Sequence, residues 1–97
     1  FIPSIVDKSL IDEVVLVDDE DAINMSRILS KKFGLGVGIS SGANLLAAAV
    51  SGNDNENIVT VFADDSKKYL TTDLQKDINL DSSLISNKLE IVSIEYV

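Results

Sequence analysis

Two short runs rich in β-branched residues, Glu13-Val14-Val15-Leu16-Val17 and Ile58-Val59-Thr60-Val61-Phe62-Ala63, are separated by two stretches of helical character, and this alternation restricts the fold more than any other feature. The first run reads as a buried strand. Asp18 or Asp19 then caps a helix whose first turn carries Glu20 and Asp21 and whose last turn carries Lys31 and Lys32, matching the helix dipole at both ends. Gly34 is placed to end it. Within this helix Ala22, Met25, Ile28, Leu29 and Phe33 recur at three- and four-residue spacing, which predicts one apolar face lying on a sheet. Leu35 to Ile39, interrupted by Gly36 and Gly38, reads as a brief strand, and Ser40-Ser41-Gly42 as the turn after it. Ala43 to Val50 has only Asn44 as a polar residue and reads as a buried helix that stops at Ser51-Gly52.

The order is therefore β-α-β-α-β, and strands alternating with helices imply right-handed crossovers. The expected fold is α/β: a three-layer, open, mainly parallel sheet with helices on both faces. Asn53 to Glu56 is polar turn chemistry, Asp64 to Leu70 a turn with a short helical piece, and Thr71 to Lys88 mixed and polar. Leu89 to Tyr96 is a candidate edge strand.

At 97 residues the chain is one domain's worth, and a chain of this size buries only roughly 60–65% of the surface its unfolded form exposes. Its core gains from anything that covers it. Sixteen acidic against eight basic residues, with no histidine, give a net charge of -8, which repels nucleic-acid backbones and anionic lipid heads. Neither nucleic acid nor membrane is expected as a partner. Without cysteine there is no disulfide framework, and without Cys or His the usual zinc ligands are missing, so no metal site is expected and a cytoplasmic location fits. No apolar run approaches the length that spans a bilayer. The opening Phe1-Ile2-Pro3 has no initiator methionine and no basic or signal-type leader, which points to a piece of something longer.

Two segments could carry chemistry. Val14 to Glu20 resembles the opening strand and acidic pair of response-regulator receiver domains, where such a pair holds magnesium beside a phosphorylatable aspartate at the end of a strand. Here Asp54, the aspartate at comparable spacing, lies in a polar loop, so the acidic pair reads as a helix N-terminus. The second segment, Gly36-Val37-Gly38-Ile39-Ser40-Ser41-Gly42-Ala43-Asn44, bridges a strand and a helix with small residues that permit close ligand approach. Ser40 or Ser41 could equally be a simple N-cap.

Gly38-Ile39-Ser40-Ser41-Gly42-Ala43 resembles the Gly-Ile-Ser-Ser-Gly-Ala segment of the cysteine synthases, the O-acetylserine sulfhydrylases of pyridoxal phosphate (PLP) fold type II. Phe1-Ile2-Pro3, Ser9 to Val14 and Asp19-Glu20-Asp21-Ala22 are similar to that family in the same order. So are Ile58 to Phe62 and Lys68-Tyr69-Leu70-Thr71-Thr72, so the likeness runs in register from Phe1 to Leu74. It implies that residues 1–74 form the C-terminal part of the enzyme's large domain, with 75–97 as a tail. It also implies that Ser40 meets the pyridine nitrogen of PLP, and it assigns no catalytic residue to this chain. A neutral hydroxyl there, unlike an aspartate, leaves the nitrogen largely unprotonated and the ring a weaker electron sink. This suits α-proton removal with loss of a β-substituent.

The family's Schiff-base lysine, substrate-carboxylate loop and phosphate loop belong to its N-terminal half. Lys8, Lys31, Lys32, Lys67, Lys68, Lys76 and Lys88 accordingly read as solvated surface charges. Tyr69 reads as a packing anchor. The resemblance further implies an amino-acid substrate, the N-terminal remainder of the enzyme as partner, and a homodimer. Ala63-Asp64-Asp65-Ser66 departs from the family's Pro-Asp-Ser-Gly, and Lys67 stands where an acidic residue is common. Cysteine synthesis, desulfhydration that releases hydrogen sulfide, and cystathionine synthesis therefore stay open, as does a non-catalytic fragment serving as a structural or regulatory partner.

Overall fold

The computed structural model describes residues 3–52, 56–67 and 77–95. Their regular elements are a 3₁₀ turn at Lys8–Leu10, helix α1 (Asp19–Phe33), helix α2 (Ile39–Ser51) and a 3₁₀ turn at Ile85–Asn87. Helix α1 follows the sequence pattern closely. Asp18 is its N-cap, Asp19, Glu20 and Asp21 fill the first turn, and Lys31 and Lys32 the last. Asp18 makes no side-chain capping hydrogen bond, so what it offers the helix start is its charge beside the dipole. Gly34 sits at φ 69°, and the N–H of Leu35 donates to the Leu29 carbonyl at 3.0 Å, the left-handed closure that glycine permits.

The apolar face of α1 forms the core, but against α2 rather than against a sheet. Met25, Ile28, Leu29 and Leu46 make up the buried cluster, with Val17, Phe33, Leu35, Val37, Ile78, Leu89 and Ile91 packed around it. Asp21, Asn24, Ser26 and Arg27 are buried as well, so α1 is enclosed on its polar side too. Helix α2 ends as expected, at Ser51 with Gly52 as its C-cap, but departs from expectation at its start. It begins at Ile39, so Ser40-Ser41-Gly42 is its first turn and not a turn before it. Its apolar body is covered on one face only: Leu46 is buried whereas Ala49 and Val50 are exposed.

The open parallel sheet is not formed by these residues. Among the described residues the β pairing is an isolated antiparallel bridge, Val37 to Asp65, and neither 13–17 nor 58–63 joins a ladder. Exposure along Val14 to Val17 nevertheless alternates, Val15 and Val17 half-buried and their neighbours exposed, as a strand's two faces would. A strand exists only where another backbone lies alongside it, and here Glu13, Val15, Ile58 and Val59 line a groove of about 540 Å³ together with Ala47 and Ala48 of α2. The candidate edge strand also makes no ladder over 89–95, although Leu89 and Ile91 reach the core.

Leu16 is 93% and Val59 91% exposed, and Val14, Val61 and Phe62 are exposed too. Apolar β-formers left open in this way pair readily with other chains. The isolated 97-residue polypeptide is therefore expected to self-associate, which light scattering after size exclusion would detect. A monodisperse monomer that melts cooperatively would refute this.

Candidate functional site at the start of helix α2

The bridge between Val37 and Asp65 brings the end of the second β-branched run to the N-terminus of α2. The Gly38 N–H donates to the Asp64 carbonyl at 3.2 Å, and the Ser66 N–H to the Gly36 carbonyl at 3.0 Å. From this clasp the Asp64 carboxylate reaches over the first turn of the helix. Its Oδ2 accepts from the Ser40 N–H at 3.2 Å, and its Oδ1 from the Ser41 N–H at 3.1 Å and from the Ser41 hydroxyl. Two of the amide donors that every helix start leaves open are thus satisfied by a residue 23 or 24 positions downstream. Gly38 is required by this closeness, since a Cβ there would lie 2.2 Å from Asp64 Oδ2.

Helix α1 holds the same turn from beneath. The Ser26 hydroxyl donates to the Gly38 carbonyl at 2.7 Å, with the Ala22 carbonyl sharing the same hydrogen at 3.1 Å. Between the anchors the two serines diverge. Ser41 is fully buried and spends its hydroxyl on Asp64, whereas Ser40 is exposed and its hydroxyl has no hydrogen-bond partner among the described residues. One turn further along the same face, Asn44 Nδ2 donates to the Val61 carbonyl at 2.9 Å. A rigid turn with one outward neutral hydroxyl can donate to or accept from a ligand without bringing charge to it.

For Asp64, burial works to raise the pKa, but the Ser41 hydroxyl and the amides of Ser40 and Ser41 outweigh it and hold the carboxyl below its ordinary value. A depressed folded-state pKa stabilises above the unfolded value and loses that stabilisation as pH falls through the folded one. The stability difference between the parent protein and its Asp64→Asn variant is therefore expected to shrink below about pH 4. Urea titrations across the acid range would show it, and a constant difference would contradict it.

The other expected residues fall as follows. Lys8, Lys31, Lys32, Lys67 and Lys88 are all exposed, Lys31 pairing with Asp77 at 3.3 Å. Lys68, Tyr69 and Lys76 lie outside the described residues, as does Asp54 of the receiver-like reading. Among the described residues no cluster of three or more His, Cys, Asp or Glu could hold a metal ion, and no helix is long and apolar enough to cross a membrane. Sequence reasoning missed Asp64, placing it in a turn. Its position at the end of an apolar run was the available signal.

No protein-family model matches the chain. It is 49% identical over 76 residues to cysteine synthase B of Campylobacter jejuni, covering 76% of this chain and 25% of that protein. It is 45% identical over 74 residues to the O-acetylserine dependent cystathionine β-synthase of Bacillus subtilis, covering 73% and 24%. Escherichia coli cysteine synthase A is 36% identical over 88 residues, covering 87% and 27%. A crystal structure of a hydrogen sulfide-producing enzyme superposes with a TM-score of 0.78 at 48% identity, covering 89% of this chain and 26% of that one. The chain thus spans about a quarter of the length of the curated relatives it matches. Such identity, sustained across most of these 97 residues and joined to a matching backbone, has one explanation: the chain belongs to the cysteine synthase and cystathionine β-synthase family.

Proposed function

We propose that the whole protein is a PLP-dependent enzyme that replaces the acetoxy group of O-acetylserine with sulfide to form L-cysteine, and that this chain is its C-terminal part. Residues 1–74 would complete the large domain and 75–97 form its tail, the strands 13–17 and 58–63 entering the expected sheet beside polypeptide from the N-terminal remainder. The observation that supports the reading is the Ser40 hydroxyl, exposed at the start of α2 and without a hydrogen-bond partner among the described residues, while Ser26, Ser41 and Asp64 tie down the turn that carries it. Its chemistry fits a pyridine nitrogen, which needs one neutral donor or acceptor. When bound, PLP supplies the electron withdrawal that makes the α-proton of an amino acid removable.

Ser40 would orient the ring edge and keep charge away from it. Ser41, Asp64 and Ser26 would keep Ser40 still. The lysine that binds the cofactor is assigned to the N-terminal remainder, so the isolated chain would be inactive. A small amino-acid substrate, a homodimer of the whole enzyme and a cytoplasmic location complete the proposal.

In the whole protein, Ser40→Asp places a carboxylate at the ring edge and is expected to shift the cofactor's absorbance and to lower β-replacement on the order of a hundredfold. Unchanged spectrum and rate would sink the reading. A lyase that releases hydrogen sulfide from cysteine is the second reading, supported by the hydrogen sulfide-producing enzyme among the similar structures. Product analysis with cysteine alone, against O-acetylserine plus sulfide, separates the two.

A further inference from the structure

Asp64 lies beside the proposed cofactor contact but outside the Gly38 to Ala43 segment on which Ser40 was singled out. Its carboxylate accepts from both amides flanking the Ser40 side chain's position on the helix, at 3.2 and 3.1 Å, and from the Ser41 hydroxyl. Three donors converge on one group, so the first turn of α2 cannot rotate without breaking several bonds together. The Val37 to Asp65 bridge fixes the backbone that carries Asp64, and a Cβ on Gly38 would strike its carboxylate, so the group itself has little room to move.

Charge adds a second consequence. The N-terminus of a helix carries partial positive charge that favours anions. Here Asp64 already matches that charge. A further anionic group such as the cofactor's phosphate is disfavoured at this turn, and a neutral ring edge is what the exposed Ser40 hydroxyl can receive.

We propose, resting on the function put forward above, that Asp64 is the positioning residue for Ser40: by clamping the amides of Ser40 and Ser41 it sets where the Ser40 hydroxyl meets the ring of bound PLP. Asp64→Ala removes both carboxylate acceptors and leaves the backbone carbonyl of residue 64. Asp64→Asn keeps the shape but loses the charge and one of the two carboxylate acceptors, so one amide is left without a partner. Ser41→Ala removes the hydroxyl tether alone.

The test uses the whole protein, reconstituted with PLP, and reads absorbance, fluorescence and the dissociation constant of the cofactor. Asp64→Ala and Asp64→Asn are expected to shift the bound cofactor's spectrum in the direction that Ser40→Ala shifts it and to weaken PLP retention on the order of tenfold. Ser41→Ala should give a smaller change of the same sign. Should Asp64→Ala fail to fold, Asp64→Asn and Ser41→Ala carry the comparison, with far-ultraviolet circular dichroism confirming their helices. If Ser40→Ala alters the spectrum while the Asp64 and Ser41 variants match the parent in spectrum and retention, the positioning role is overturned and the reading of Ser40 survives. If the parent takes up no PLP, or Ser40→Ala leaves the spectrum unchanged, the underlying function is what has failed.

Discussion

Replacing Gly42 with alanine is expected to destabilise the whole protein by about 3 kcal/mol, the upper end of what overpacking a close contact costs. The new Cβ would lie 2.3 Å from the Ala22 carbonyl oxygen and 2.4 Å from Ser26 Oγ, with the Ser26 nitrogen at 3.0 Å. Two of these three atoms are backbone of α1 and cannot swing aside, so the helices must separate. Separation would loosen Leu46 from Met25 and Leu29, and it would draw the Ser26 hydroxyl away from the Gly38 carbonyl that it anchors at 2.7 Å. The damage would therefore reach the start of α2 as well as the core. Gly36→Ala is the control, because its Cβ would meet only Ser66 Oγ at 3.1 Å, the end of a short side chain that can turn. Urea midpoints measured on both variants decide the matter. Equal and small losses would show that the crossing of α1 and α2 is looser than described.

Asp21→Ala should cost about as much for a different reason, roughly 3 kcal/mol from two amides, that of Ser86 buried and that of Ile85 partly so, which lose a charged acceptor. Asp21 is 5% exposed, and its carboxylate accepts from the Ile85 N–H at 2.9 Å and the Ser86 N–H at 2.8 Å, holding the 3₁₀ turn of the tail on the first turns of α1. Beside it the fully buried Asn24 donates to Ser86 Oγ at 2.9 Å and to the Asn79 carbonyl at 3.1 Å, and accepts from the Asn79 N–H at 2.7 Å. Asn87 closes the set by donating to the Asn79 and Asp81 carbonyls, each at 2.7 Å. Among the described residues no buried side-chain polar atom is left without a partner. Such a network is cooperative in its failure: once one acceptor goes, the amides that relied on it are stranded and the rest of the segment has less to hold it. Hydrogen exchange should accelerate across residues 79–91, where Leu89 and Ile91 reach the core, while the middle of α1 stays protected. A stability loss under about 1 kcal/mol with unchanged exchange in that stretch would mean the carboxylate matters less than its two bonds suggest.

These cases show which parts of the molecule could be read in advance. Helix α1 was legible because its signals are local: apolar spacing, acidic and basic ends, and a glycine in the left-handed region within fifteen residues of the start. The early start of α2 was not, because the groups that cap its amides come from Asp64, far along the chain. Asp21 and Asn24 look like solvent-facing polar residues in a helical pattern, and nothing nearby reveals that residues 79–87 return to bury them. The expected sheet failed to appear among the described residues for the same kind of reason. A run of valines announces a strand, yet a strand exists only when another backbone lies alongside, and neither 13–17 nor 58–63 has one in a ladder among the described residues.

What the amino-acid order determined by itself is the extent of α1, the apolar body of α2 and the presence of two serines at its start, because helix propensity, dipole and periodicity act over a few residues. Only the tertiary structure decided which serine is spent on Asp64 and which faces outward, and which carboxylates serve as caps. Those outcomes depend on hydrogen bonds closed across 23 to 65 residues, whose donors and acceptors meet only when the chain has folded back on itself.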